Sequence, residues 1–196
     1  MKSCALLALG IFAVNAQATI IGGDVTGGAG SFVELTIPFN QSNPANTVGN
    51  NTFQDTNLYA FNEGQNIQLN AGLQVDDIGG GSAGVLAAGT VVAINYIFFD
   101  PKNSTFQQGY VDFDADILGI ITKTGTLAAS DFLLNNGVTY QNPGARGLEN
   151  NDSATFNGSR VFVDWRASTP GDYIRVLTAY SKAADVPEAS SLSMFF

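Results

Sequence analysis

Apolar and polar residues alternate with a period of two in the segments that Gly, Asn and Pro clusters leave uninterrupted, and that period belongs to half-buried strands. Phe32 to Phe39 shows it most plainly, with Val33, Leu35, Ile37 and Phe39 set against Glu34, Thr36 and Pro38. Its proline predicts an edge position, because proline donates nothing to a strand ladder. Seven further segments read as strands: Leu58 to Phe61, Asn66 to Leu69, Thr90 to Phe99, Gly109 to Phe113, Ile117 to Thr122, Arg160 to Trp165 and Tyr173 to Tyr180. Short lengths, β-branched and aromatic content and turn-forming separators predict an all-β fold, an antiparallel, jelly-roll-like β-sandwich of about eight strands. One short accessory helix is predicted, capped by Thr126, running from Leu127 to Leu134 and ended by Asn135-Asn136-Gly137. Asp76 to Gly89, with Gly79-Gly80-Gly81, reads as a flexible loop whose glycines serve turns. No Lys-Ser or Lys-Thr follows them, so it is not a phosphate cradle.

The first eighteen residues break this pattern. Lys2, an apolar run from Ala5 to Val14, and Ala16-Gln17-Ala18 as a small-x-small cleavage site have the layout of a secretory signal peptide, which starts the mature chain at Thr19. The apolar run is shorter than the roughly 20 residues that span a bilayer as a helix, and nothing later matches it, so no internal membrane span is expected. The only cysteine, Cys4, leaves with the leader, and the mature chain forms no disulfide. Stability then rests on burial, and a single domain over 19–182 is large enough to hide roughly 70% of its unfolded surface. Residues 183–196 read as a tail.

Charge narrows the partners. Removing Lys2 leaves seven basic and seventeen acidic residues, a formal −10. The basic residues are scattered singly, with no stripe to neutralise phosphates, so nucleic acid is not an expected partner. The chain has no histidine, which removes Ser-His-Asp and Cys-His catalysis and the usual zinc sites. Carboxylates remain. A glycosidase needs two of them facing each other across a sugar, and the mature chain offers Glu34, Glu63, Glu149 and the tail residue Glu188, with no pair marked by local spacing.

The densest acidic feature is Asp112-Phe113-Asp114-Ala115-Asp116. On a continuous strand it turns Val111, Phe113 and Ala115 inward and sets Asp112, Asp114 and Asp116 in a row on the outer face. Neighbours in that row sit about 6.7 Å apart and repel by about 0.6 kcal/mol in water or about 2.5 kcal/mol at an effective dielectric near 20. Solvation or a turn at Asp114-Ala115-Asp116 satisfies such a row; where it is partly covered, calcium is the candidate cation, with Asp76, Asp77 and Asp100 as further ligands if the fold brings them near. The spacing is not that of an EF-hand, since Ile117 and Lys123 stand where Gly and Glu belong. Trp165 shares a strand face with Val161 and Val163, which predicts core packing over sugar stacking. Arg146 and Glu149 read as an ion pair or a turn-fixing contact. Asn-x-Ser/Thr triplets begin at Asn40, Asn50, Asn103, Asn151 and Asn157, incidental to so asparagine-rich a chain.

Several motifs occur in an order that resembles a family. Phe98-Phe99-Asp100-Pro101, Gly109-Tyr110-Val111-Asp112-Phe113-Asp114 leading to Ile117-Leu118-Gly119-Ile120-Ile121, Leu127 with Ser130-Asp131, Arg146-Gly147-Leu148-Glu149 with Asp152, and Pro170-Gly171-Asp172-Tyr173-Ile174-Arg175-Val176 cover nearly half the chain. With Val186-Pro187-Glu188 opening the tail, the chain resembles secreted bacterial proteins that carry PEP-CTERM sorting signals. The tail is partial: Ala189 stands where the family has a second proline, and no long apolar span or arginine cluster follows. The resemblance implies a Gram-negative or cyanobacterial protein of the cell surface or exterior, an exosortase acting at the tail, and association with extracellular polysaccharide. It implies no catalytic residue. The expected function is thus structural or adhesive in the envelope or exopolymer matrix, with a carbohydrate- or calcium-binding module and a carboxylate glycosidase as the alternatives.

Overall fold

The computed structural model describes residues 20–182. The predicted leader with Ala16 and Ala18, and the tail motif Val186, Pro187 and Glu188, lie outside the described residues. The described chain is mostly β, with several antiparallel sheets and one α-helix. Its strands are β1 (Ile20–Gly28), β2 (Phe32–Glu34), β3 (Thr47–Val48), β4 (Leu58–Gln68), β5 (Leu73–Val75), β6 (Gly84–Leu86), β7 (Val91–Phe99), β8 (Thr105–Phe113), β9 (Ile117–Ile121), β10 (Thr139–Tyr140), β11 (Ser153–Asn157), β12 (Arg160–Ala167) and β13 (Asp172–Thr178). A four-stranded antiparallel sheet runs β1-β8-β12-β11, and a five-stranded sheet runs β2-β4-β7-β13-β9 with only β2 parallel to its neighbour. Two small sheets, parallel β10-β3 and antiparallel β5-β6, complete the set. Among the described residues no helix is long and apolar enough to cross a membrane.

The five-stranded sheet is covered on both faces, which explains why β7 and β13 read as continuous apolar runs. On one face Leu58, Ala60, Ile97, Phe99, Ile174 and Val176 meet Val111, Phe113, Val161, Val163 and Trp165 of the four-stranded sheet in one cluster. On the other, Tyr59, Phe61, Tyr96, Phe98 and Tyr173 pack beneath Leu35, Phe39 and Phe53 from the segment joining β2 to β4, and beneath Leu127, Leu133 and Val138. Rings stack within that second cluster, with centroids 5.2 Å apart for Tyr59 and Phe98 and 5.8 Å for Phe98 and Tyr173. Trp165 is in the core, as its strand face predicts.

Several expectations are corrected. The strand predicted over Phe32 to Phe39 ends at Glu34; Leu35 still donates to the Ala60 carbonyl at 2.8 Å, but the chain then leaves the ladder, while Leu35 and Phe39 stay buried. Period-two burial therefore persists without strand pairing. The segments Leu58 to Phe61 and Asn66 to Leu69 belong to one strand, β4, with irregularities between Asn62 and Ile67 that reset the register. The loop predicted over Asp76 to Gly89 contains β6, which pairs with β5. The helix, α1, spans Thr124–Ala129 and is entered from Lys123, with a 3₁₀ turn over Asp131–Leu133 following it. Thr126 lies inside α1 and does not cap it, its hydroxyl donating to Asp76 Oδ1 at 3.0 Å. Asp76 also accepts the Thr122 and Lys123 N–H groups at 2.8 and 2.9 Å, so the entry to the helix is fixed from a distant segment.

Candidate functional site

The four-stranded sheet contributes one face to the core and turns the other outward. Strict alternation along β8 and β12 buries Val111, Phe113, Val161, Val163 and Trp165 and leaves Phe106, Gln108, Tyr110 and Asp112 beside Arg160, Phe162, Asp164 and Arg166 on the outer side. Antiparallel register sets these eight residues directly opposite one another: Asp112 with Arg160, Tyr110 with Phe162, Gln108 with Asp164, and Phe106 with Arg166. Such direct cross-strand neighbours have Cβ atoms about 4.5–5.5 Å apart, within reach of one another.

Each pair is tied. Arg160 donates two hydrogen bonds to Asp112, Nε to Oδ1 at 2.6 Å and Nη2 to Oδ2 at 2.7 Å, and its guanidinium carbon lies 3.8 Å from the centroid of the Tyr110 ring. Gln108 Nε2 donates to Asp164 Oδ2 at 3.0 Å. Arg166 sits 6.0 Å above the Phe106 ring. A planar guanidinium over an aromatic face restrains both groups, so the Tyr110 and Phe106 rings are braced although Phe106 is 44% exposed, and Phe162, opposite Tyr110, is 42% exposed. Ile21 of β1, 64% exposed, is a further large apolar side chain on that edge strand. The result is an outward row of rings in which the Gln108–Asp164 hydrogen bond separates Phe106 from Tyr110 and Phe162, and the Asp112–Arg160 ion pair closes one end.

The predicted aspartate row is divided between two places. Asp112 belongs to this stripe and is occupied by Arg160. The strand stops at Phe113, so alternation does not carry Asp114 and Asp116 onto the same face. Asp114 Oδ2 accepts from the Ser181 hydroxyl at 2.5 Å, and Asp116 uses its backbone carbonyl to receive the Ala179 N–H at 2.8 Å. Asp114 and Asp116 line a hollow of about 420 Å³ with Ala115, Tyr180 and Lys182. Asp100, fully buried, accepts the Asn51 and Phe53 N–H groups at 3.1 Å each, and burial raises its carboxyl above the ordinary range. Asp77 accepts from the Gly79 and Gly81 amides. Among the described residues no group of three or more Asp or Glu is gathered so as to hold a metal ion.

The glutamates lie apart in environment. Glu63 is fully buried against Arg175, with Arg175 Nε donating to Oε2 at 2.6 Å. Glu34 is exposed, beside a hollow of about 460 Å³ lined also by Thr36, Pro38 and Phe39. Glu149 lines a third hollow, about 520 Å³, with Asp76, Asp77 and Asp152. There Asp76 and Asp77 are engaged with the backbone as described, and Asp152 accepts from the Arg166 and Glu149 amides at 2.6 and 3.3 Å. Arg146 pairs with Asp131 at 2.7 Å and not with Glu149, because its side chain turns inward beneath the helix and Glu149 faces solvent. No family model, curated protein or solved structure matches this chain.

Proposed function

We propose that the protein is a secreted, non-catalytic component of the cell envelope or exopolymer matrix, structural or adhesive in role, and that it attaches through the outer face of its four-stranded sheet. In this reading the two larger sheets form a jelly-roll-like sandwich, residues 1–18 are the export leader, and Val186-Pro187-Glu188 is the exosortase address. The observation that carries it is the row of rings on that face, exposed Phe106 and Phe162 with half-buried Tyr110, of which Arg166 braces Phe106 and Arg160 braces Tyr110. Scattered exposed apolar residues are ordinary on any surface; rings aligned in register on one sheet face and braced by cations are a surface prepared for contact. The five-stranded sheet supports the assignment by contrast, since both of its faces are covered.

One fractionation experiment tests the proposal. The full chain expressed in its own cells is expected in the matrix fraction with Thr19 as its first residue, and the Phe106→Ala, Phe162→Ala double variant is expected mainly in the free medium. Retention of the double variant in the matrix would remove the role of the stripe; a cytosolic protein with residues 1–18 intact would remove the proposal.

A further inference from the structure

Alternation along β13 turns Asp172, Ile174 and Val176 toward the four-stranded sheet, and Ile174 and Val176 pack in the layer between the two large sheets with Trp165 and Ala167 of β12. Only residues 168–171 separate Ala167 from Asp172, so the end of β12 and the start of β13 meet at one end of that layer. This end is short of hydrogen bonds. Asp172 is 2% exposed and its Oδ2 has no partner; Trp165 Nε1 and the Oε1 of Gln107, which lies directly opposite Trp165 on β8, are buried without partners as well. Such atoms favour local opening, because water supplies the bonds that the fold does not. We infer that Asp172 is a proton-operated latch on this seam, closed while its carboxyl is protonated and opened to water when the proton is lost. The latch lies on the inner side of the sheet and is independent of what attaches to the outer face.

The charges that face Asp172 have its own sign. Opposite it on β7 is Phe99, and Asp100 beyond points to the other face, where it accepts the Asn51 and Phe53 amides. From β12, Trp165 and Ala167 bring no charge, and Arg166 is on the outer side over Phe106. The segment entering β11 brings Glu149 and Asp152, both carboxylates. Burial, with these two carboxylates adding to it, raises the Asp172 carboxyl from 3.8 to about 8, so the proton leaves when the seam opens and Asp172 meets water. Below pH 3.8 both states hold the proton and opening does not depend on pH. From 3.8 to about 8 only the open state is ionised, and its population rises about tenfold per pH unit; above about 8 the closed state ionises too and the rise ends.

Trp165 is the only tryptophan of the chain, so its indole N–H gives one nuclear magnetic resonance signal whose exchange with solvent deuterium reads the opening of this seam. The full wild-type chain and Asp172→Asn are compared at each pH from about 5 to about 7, and the intrinsic pH dependence of exchange cancels in the ratio of their rates. That ratio is expected to rise about tenfold per pH unit, with the indole exchanging faster than the slowest amides of β7, which exchange through global unfolding. The wild-type rate divided by that of a free tryptophan peptide at the same pH gives the same slope and keeps the test valid without the variant. A ratio that stays constant with pH would overturn the latch. An indole rate equal to that of the slowest β7 amides would overturn it too, because the opening would then be global.

Discussion

Asp172→Asn is expected to stabilise the protein at neutral pH, and by an amount that disappears in acid. Asp172 opens β13, is 2% exposed, and its Oδ2 has no hydrogen-bond partner. Burial pushes its carboxyl from 3.8 up to about 8, and the Asp152 and Glu149 carboxylates push in the same direction. The folded state therefore keeps a proton that the unfolded chain gives up. Below pH 3.8 both states hold the proton and the full stability is present; as pH rises from 3.8 towards 8 only the unfolded state ionises, and stability falls throughout that window. At pH 7 the accumulated loss is about 4 kcal/mol, from roughly three pH units at about 1.4 kcal/mol each. Asparagine keeps the shape without the ionisation, so its advantage grows with pH and corresponds to a melting temperature about 10 °C higher at pH 7 for a domain of this size. Melting curves of both proteins from pH 4 to 8 check this. Equal stability at every pH would show that Asp172 is hydrated or paired in solution.

The second large effect lies on the far side of the five-stranded sheet. Arg175 and Glu63 are both fully buried and doubly bonded, at 2.6 and 3.0 Å. Glu63 Oε1 also receives the Tyr140 hydroxyl at 2.9 Å, and its carbonyl receives Asn135 Nδ2 at 3.2 Å. Arg175 Nη1 donates to the Leu127 carbonyl at 3.3 Å and to the Ser130 hydroxyl. The pair thus joins β4 and β13 to the helix and the segment that cover them. Burial alone lowers the Arg175 pKa, but the Glu63 carboxylate more than offsets this and the net shift is upward. Removing one partner strips a buried charge of its main counter-charge, with only Asp131 Oδ1 left 3.8 Å from Arg175 Nη2 when Glu63 is lost, and Glu63→Leu or Arg175→Met alone is expected to cost about 3–5 kcal/mol. The double variant is expected to recover a large part of that loss, because two apolar side chains of similar volume need no counter-charge. Denaturant unfolding of the three variants checks the cycle; an additive double variant would mean that the pair is not coupled.

These two features mark where sequence stops being informative. Strands whose apolar residues alternate or run continuously, such as β7 and β13, are visible because burial of one or both faces writes itself into composition. β1 is not, because its glycines carry no such pattern; its order comes from β8, and at Gly23 a side chain would lie 2.7 Å from the Phe32 ring. Glu63 and Arg175 are 112 positions apart, so nothing local announces their pairing. The stripe was half visible. A strand predicted from Gly109 onward includes Tyr110 but leaves Phe106 in a loop, and only the extension of β8 back to Thr105 puts both on one face. Its partners across the sheet depend on the β8–β12 register, which alternation alone does not fix. The aspartates leave the expected strand for a related reason: the pattern continues past Phe113, and the strand does not.

The outer face of β8 and β12 is the surface by which this protein is proposed to attach to the matrix. Hydroxyl-radical footprinting of the full chain, with and without the matrix fraction of its own cells, reads that face ring by ring. Protection of Phe106, Tyr110 and Phe162 is predicted, with Phe132 and Tyr180, both exposed elsewhere, labelled equally in the two states. Protection confined to Phe132 or Tyr180, with the three stripe rings unchanged, would contradict it.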